Sequence, residues 1–233
     1  MKNASLAPLA QPKGTAKERL AALTSALATA ARLGGHQPPT LIAISKTHAP
    51  AQIRPLLDAG HRVFGENRVQ EAAAKWPELK AEFADVELHL VGQLQSNKAA
   101  DAVALFDAIH SLDRPSLVRA LGAAVAAAGR QPTLFVQVNI GDEAQKGGVA
   151  LAGLADLLSQ AAAAGLTVAG LMAVPPADRE PAPYFALLAQ AAKRHGLPLL
   201  SMGMSADHDI AATLGATHVR IGSALFGDRG DAE

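Results

Sequence analysis

The chain has no cysteine, only 3% aromatic residues and no net charge over its 233 residues. The first absence excludes disulfides, thiolate nucleophiles and cysteine-based metal centres. The scarcity of aromatics leaves a core of alanine, leucine and valine, and with 49% hydrophobic against 18% charged residues the bulk of the chain has ample material to fold. Its 21 basic and 21 acidic side chains cancel. That removes the electrostatic footprint of a nucleic-acid binder. No uninterrupted apolar window reaches membrane-spanning length, and the first residues lack the apolar stretch of a signal peptide, so a cytoplasmic protein is expected, with no membrane partner. The eight histidines lack metal-ligand spacing, and no metal site is expected.

What is present is an alternation. Residues 1–14, with Pro8, Pro12 and Gly14 and no periodicity, read as a flexible N-terminal tail, and residues 15–233 as one domain. Thr15 and Glu18 have the spacing of a capping box, and Leu20, Leu23 and Leu27 continue from it as an apolar helical stripe that stops at Gly34-Gly35. Eight apolar runs follow, at 41–46, 62–67, 87–92, 107–112, 134–140, 168–174, 199–204 and 218–221. Helical segments separate them, one of them expected over 149–164. Strands alternating with helices without a composition break imply a parallel sheet covered by helices. A single-domain (β/α)8 TIM barrel fits eight such units; a doubly wound open sheet is the rival. The sequence supplies no eighth helix after the last strand, and the capped N-terminal helix is expected to take its place.

In a parallel barrel the chemistry sits at the carboxyl ends of the strands. The first apolar run ends in Lys46, either a snorkelling surface lysine or a reactive amine. The seventh and eighth are followed by Ser201-Met202-Gly203-Met204-Ser205 and Gly222-Ser223, in the loops that commonly cradle a phosphate. Arg220 lies in the eighth run. An arginine facing a pyridine nitrogen cannot surrender its proton, so it leaves the ring a weaker electron sink than an aspartate would. A lysine, a phosphate cradle and this arginine together suggest pyridoxal 5′-phosphate (PLP) held as a Schiff base, with the lysine amine neutral when it attacks. Glu66 and Glu71 read as hydrogen-bonding groups at element ends, and His89 as a satisfied core histidine.

Several blocks in one order then narrow the choice: Ser45-Lys46-Thr47, Phe64-Gly65-Glu66-Asn67, the run from His89 to Lys98, Leu171 to Pro175, Ser201 to Ser205 and Val219 to Gly227. Together they closely resemble the pyridoxal phosphate homeostasis protein family, over about residues 15–229. The resemblance implies a fold like the barrel domain of alanine racemase. It implies that Lys46 carries the cofactor, that Ser205, Gly222 and Ser223 meet the phosphate, that Arg220 lies near the pyridine nitrogen, and that Asn67 and Ser201 line the pocket. His48 and Gln93 depart from the family's common Lys and Pro, which puts loop shape in question. The implied activity is cofactor binding for vitamin B6 and amino-acid homeostasis, with PLP-dependent apoenzymes as recipients, a monomeric state, and little or no catalysis. Racemisation needs an acid opposite the lysine, and the single tyrosine, Tyr184, falls in a helical segment. A racemase-like enzyme, or a barrel binding another phosphorylated metabolite, are the alternatives.

Overall fold

A computed structural model describes residues 14–226, so the expectation for the N-terminal tail lies, apart from Gly14, outside the described residues. Nine strands run through the described residues: β1 (Thr40–Ile44), β2 (Val63–Glu66), β3 (Glu87–Leu90), β4 (Ala108–Leu112), β5 (Thr133–Asn139), β6 (Val149–Ala150), β7 (Val168–Met172), β8 (Leu199–Ser201) and β9 (His218–Ile221). Between and around them lie α1 (Ala16–Leu33), α2 (Pro50–Asp58), α3 (Val69–Glu82), α4 (Ala99–Leu105), α5 (Pro115–Ala128), α6 (Leu154–Ala163), α7 (Ala182–Arg194), α8 (His208–Thr213) and α9 (Ser223–Phe226). All strand pairings are parallel, in the order β1-β2-β3-β4-β5-β7-β8-β9, and β9 pairs back to β1. The sheet is therefore a closed eight-stranded barrel, and the open-sheet rival is excluded. The ninth strand, β6, is a two-residue addition beside β5.

That addition corrects the helix expected over 149–164. Val149 is β-branched and pairs with Val138, after a turn in which Gly148 takes φ 119°. A 3-10 turn over Leu151–Gly153 follows, and the regular helix starts only at Leu154. Apolar periodicity alone could not place that break.

The helix α1 carries the expected capping box, with the Thr15 hydroxyl accepting from the Glu18 amide and the Thr15 amide donating to the Glu18 carboxylate. It packs against α8, α2 and α9, and so fills the eighth place in the ring of helices, between the last and first β/α units. Its burial is concentrated towards its carboxyl end, at Leu27, Ala30 and Ala31, while Leu20 and Leu23 are half-buried. Gly34 allows the close approach of α1 to α8, since a Cβ there would sit 1.9 Å from the Thr213 carbonyl oxygen.

Alternation along the strands creates two interiors. Leu41, Ala43, Phe64, Leu88, Leu90, Leu134, Val136, Val219 and Ile221 join the apolar layer between strands and helices. Ile42, Ile44, Ala108, Phe135 and Met172 are buried but stand outside that layer, because they face into the barrel. The buried polar residues His89, His110, Ser201 and Arg220 share the barrel interior with them. Such interiors are generally filled by bulky aliphatic layers; here a polar chain takes part of that space.

Candidate functional site

The hydrogen-bonded ladder of β1 ends at Ile44, so Lys46 lies in the turn just beyond it and not in the strand. The inward parity of Ile42 and Ile44 continues to Lys46, which places its side chain towards the barrel mouth. Lys46 is half-buried and makes no hydrogen bond or ion pair with the described residues. Its neighbours are held tightly. Thr47 adopts φ 66°, a left-handed conformation that costs a β-branched residue about 1–3 kcal/mol. The Thr47 amide donates to Glu71 Oε1 at 2.5 Å, which holds that turn.

Behind the turn, on the outward side of the strands, lies a buried ionic cluster. Lys75 Nζ pairs with Glu66 Oε1 at 2.8 Å and Glu71 Oε1 at 3.0 Å, and donates to the carbonyls of Ser45 and His48 at 2.7 and 3.2 Å. Ser45 Oγ and Trp76 Nε1 also donate to Glu66 Oε1, at 2.6 and 2.9 Å. One ammonium thus clamps both ends of the segment that carries Lys46. Burial opposes the ionisation of Glu71, but the Thr47 amide and the Lys75 ammonium outweigh it and hold its pKa below the ordinary carboxylate value. Glu66 and Glu71 are hydrogen-bonding groups at element ends, as their positions imply. Lys75 was not among the expected site residues; its signal is its place beside Trp76 on the buried face of α3, four residues after Glu71.

Across the mouth, Arg220 is 6% exposed. Its Nη1 donates to Ser201 Oγ at 2.6 Å and its Nη2 to the Ala173 carbonyl at 2.9 Å. No carboxylate pairs with it among the described residues, and burial pushes its pKa down to about 10. The neighbouring strand ends meet through Ser223 Oγ, which donates to Ser205 Oγ at 3.4 Å. Gly203 holds this approach, with φ 92° and a Cβ position only 2.5 Å from the Ala211 methyl. Gly222 separates Ile221 from the exposed Ser223, and Asn67 follows β2 half-buried at the same end. The structure thus brings Lys46, Asn67, Ser205, Arg220, Gly222 and Ser223 to the carboxyl end of the barrel. Ser201 is fully buried beneath them, its hydroxyl engaged by Arg220 and, at 2.8 Å, by His110 Nδ1.

His48 and Gln93 both act between loops. The His48 ring stacks on Phe226 with centroids 4.4 Å apart, joining the first and last strand ends. Gln93 Nε2 donates to Gln137 Oε1 at 2.6 Å, bracing the loop after β3 against β5. A cavity of about 740 Å³, lined by Arg68, Glu71, Gln93 and Lys98 among others, opens between the β2 and β3 loops. Tyr184 lies in α7, packed on the outside of the strands. Among the described residues no group of three or more His, Asp or Glu side chains is placed to hold a metal, and no helix is long and apolar enough to cross a membrane.

This geometry can be set beside known proteins. Residues 19–230 match the alanine racemase N-terminal domain family. A pyridoxal phosphate homeostasis protein of Pseudomonas aeruginosa is 39% identical over 227 residues, covering 92% of this chain and 96% of that one. The chain belongs to the pyridoxal phosphate homeostasis protein family. The Escherichia coli (strain K12) member is 36% identical, over 90% of this chain and 95% of its own. PipY of Synechococcus elongatus, solved with PLP bound, superposes with a TM-score of 0.80 at 39% identity, over 91% of this chain and all of that one. Alanine racemase of Clostridium difficile shares the fold alone, with 13% identity and a TM-score of 0.68 over 57% of its length. As a member of the family, the chain carries its barrel with Lys46 at the first strand end and Arg220 on the last strand.

Proposed function

We infer that the protein binds pyridoxal 5′-phosphate at the carboxyl end of the barrel and serves PLP and amino-acid homeostasis in the cytoplasm, with little or no catalysis of its own. The observation that carries this reading is the presence at one barrel mouth of a Lys46 that makes no hydrogen bond or ion pair and a buried Arg220 that is ion-paired with no carboxylate, among the described residues. The donor set fits the group: an amine for an aldehyde, two serine hydroxyls beside a glycine for a phosphate, and a guanidinium for a ring nitrogen. When bound, the cofactor supplies an electrophilic aldehyde and an electron-withdrawing ring.

Lys46 is the residue that would hold the aldehyde carbon covalently. The clamp of Lys75, Glu66 and Glu71 fixes the backbone on which that amine is presented. Ser205, Gly222 and Ser223 would hold the phosphate, Asn67 and Ser201 would complete the pocket, and Arg220 would face the ring nitrogen as a donor that does not give up its proton. The weak-catalysis reading is supported by the position of Tyr184 on an outer helix, away from the face opposite Lys46. The protein acts as a monomer and releases its cofactor to apoenzymes.

Adding PLP to the purified protein is expected to give a visible absorption band that Lys46→Ala lacks. An identical band in the variant would overturn the assignment of the lysine. Exchange of amino-acid α-protons in heavy water at enzyme-like rates would overturn the carrier reading in favour of a racemase-like enzyme.

A further inference from the structure

The barrel interior contains a line of polar groups that the binding of a cofactor does not itself require. Starting at Arg220, Nη1 meets Ser201 Oγ at 2.6 Å, and Ser201 Oγ meets His110 Nδ1 at 2.8 Å. His110 Nε2 meets His89 Nδ1 at 3.0 Å, and His89 Nε2 meets Glu87 Oε1 at 2.9 Å. Ser201, His110 and His89 are essentially inaccessible, whereas the Glu87 side chain is 51% exposed at the amino end of β3. The line therefore crosses the barrel from its far end to the floor of the mouth.

Its two termini fix its direction. A guanidinium can only donate, and an ionised carboxylate can only accept. The hydrogen bond from His89 holds the Glu87 pKa below its ordinary value, so that end is a carboxylate. Between such termini, one arrangement satisfies every group without an extra proton: Arg220 donates to Ser201, the Ser201 hydroxyl donates to His110 Nδ1, His110 Nε2–H donates to His89 Nδ1, and His89 Nε2–H donates to Glu87. Both imidazoles are then neutral with the proton on Nε2. The reverse direction would set the unprotonated His89 Nε2 against a carboxylate, unless His89 carried a second proton. Burial lowers the His110 pKa well below its ordinary value, in keeping with a neutral ring.

We propose that Glu87, His89, His110 and Ser201 form a one-directional relay of positioning residues that presents the Arg220 guanidinium to the cofactor ring. The proposal rests on the reading that Arg220 faces the pyridine nitrogen. The relay turns the Ser201 lone pair towards Arg220, so the guanidinium is fixed by neutral acceptors and its charge remains available to the group in front of it. The groups facing the two imidazoles are Glu87 on β3, Ser201 on β8, and His218 and Arg220 on β9, with the Phe135 ring of β5 stacked on His110 at 4.1 Å. Lys80 of α3 acts on Glu87.

Long-range proton–nitrogen correlation spectra of the ligand-free protein at neutral pH test the direction. The expected result is a single Nε2–H tautomer for both His89 and His110; an Nδ1–H tautomer or a doubly protonated ring at either position overturns it. The positioning role is read with PLP added. Folded His110→Leu is expected to bind PLP about fivefold to tenfold more weakly, with a displaced visible band, the loss expected for one oriented hydrogen bond. His110→Asn, which keeps an acceptor near the Nδ1 position, is expected to return to within about twofold of the parent. Should His110→Leu fail to fold, Glu87→Ala at the exposed end is expected to give mixed tautomers at His89 and the same displacement of the band. Parent-like binding and spectra in these variants, while Lys46→Ala still loses the band, would overturn the relay and leave the cofactor reading standing. A parent protein that forms no visible band would instead contradict the cofactor reading, and the tautomer spectra would still decide the relay's direction.

Discussion

Lys75 and Arg220 are both buried cations beside the same barrel mouth, and they are compensated in opposite ways. Lys75 lies on the outward side of the strands, paired with two carboxylates and two carbonyls. Arg220 lies on the inward side and, among the described residues, donates only to a serine hydroxyl and a carbonyl. Removing charge from water is costly unless partners replace the solvent, so the first arrangement suits a permanent clamp. The second keeps a cation in place with no ion-paired carboxylate among the described residues, Asp207 acting on it only at longer range. The contrast separates two tasks: one cation shapes the backbone under Lys46, and the other faces the site.

Breaking the clamp should have the largest effect. Glu66→Ala removes the acceptor shared by Lys75, Ser45 and Trp76, and is expected to destabilise the fold by about 3–5 kcal/mol in denaturant titration, as for other buried pairs broken on one side. A loss below about 1 kcal/mol would mean that Lys75 is adequately held by Glu71. The second effect concerns the inner side. Burial lowers the His218 pKa from 6.5 to about 4. The unfolded chain then binds the additional proton first. Stability associated with His218 is therefore full above about pH 6.5 and declines as the pH falls towards 4, by up to about 3 kcal/mol. Thermal melts from pH 7 to 4 should show this slope, and His218→Asn should flatten it.

A double substitution then sharpens the comparison. Glu66→Gln with Lys75→Met removes both charges of the outer pair, and the combined loss should be smaller than the sum of the two single losses by about 1–2 kcal/mol. Simple additivity would deny the coupling. The smallest stability effect is expected from Arg220→Lys, about 1 kcal/mol, because an ammonium can keep one of the two hydrogen bonds but not the planar fork. Its expected consequence is instead a displaced visible band with PLP.

Much of the barrel was legible because it is written in local pattern. Apolar runs separated by helical stripes gave all eight barrel strands, and the capping box at Thr15 placed α1. Lys46, Arg220 and the serine-glycine loops were legible for the same reason, since the end of each run in a parallel barrel marks the mouth. The segment at Val149 was not, because two strand residues and a 3-10 turn interrupt an otherwise helical pattern. His89 and His110 stand 21 residues apart, and His110 and Ser201 stand 91 apart, so their contacts exist only once the barrel closes. Lys75 was hidden differently. A lysine on a helix reads as a solvated residue, and only the docking of α3 against β2 turns it towards Glu66.

The central claim is that Lys46 is the residue to which the protein attaches PLP. Borohydride reduction of the protein with PLP, followed by peptide mapping, tests it most directly. A single phosphopyridoxyl adduct on Lys46, absent from Lys46→Ala, is the predicted result; no adduct, or an equal adduct on another lysine in the variant, would contradict it.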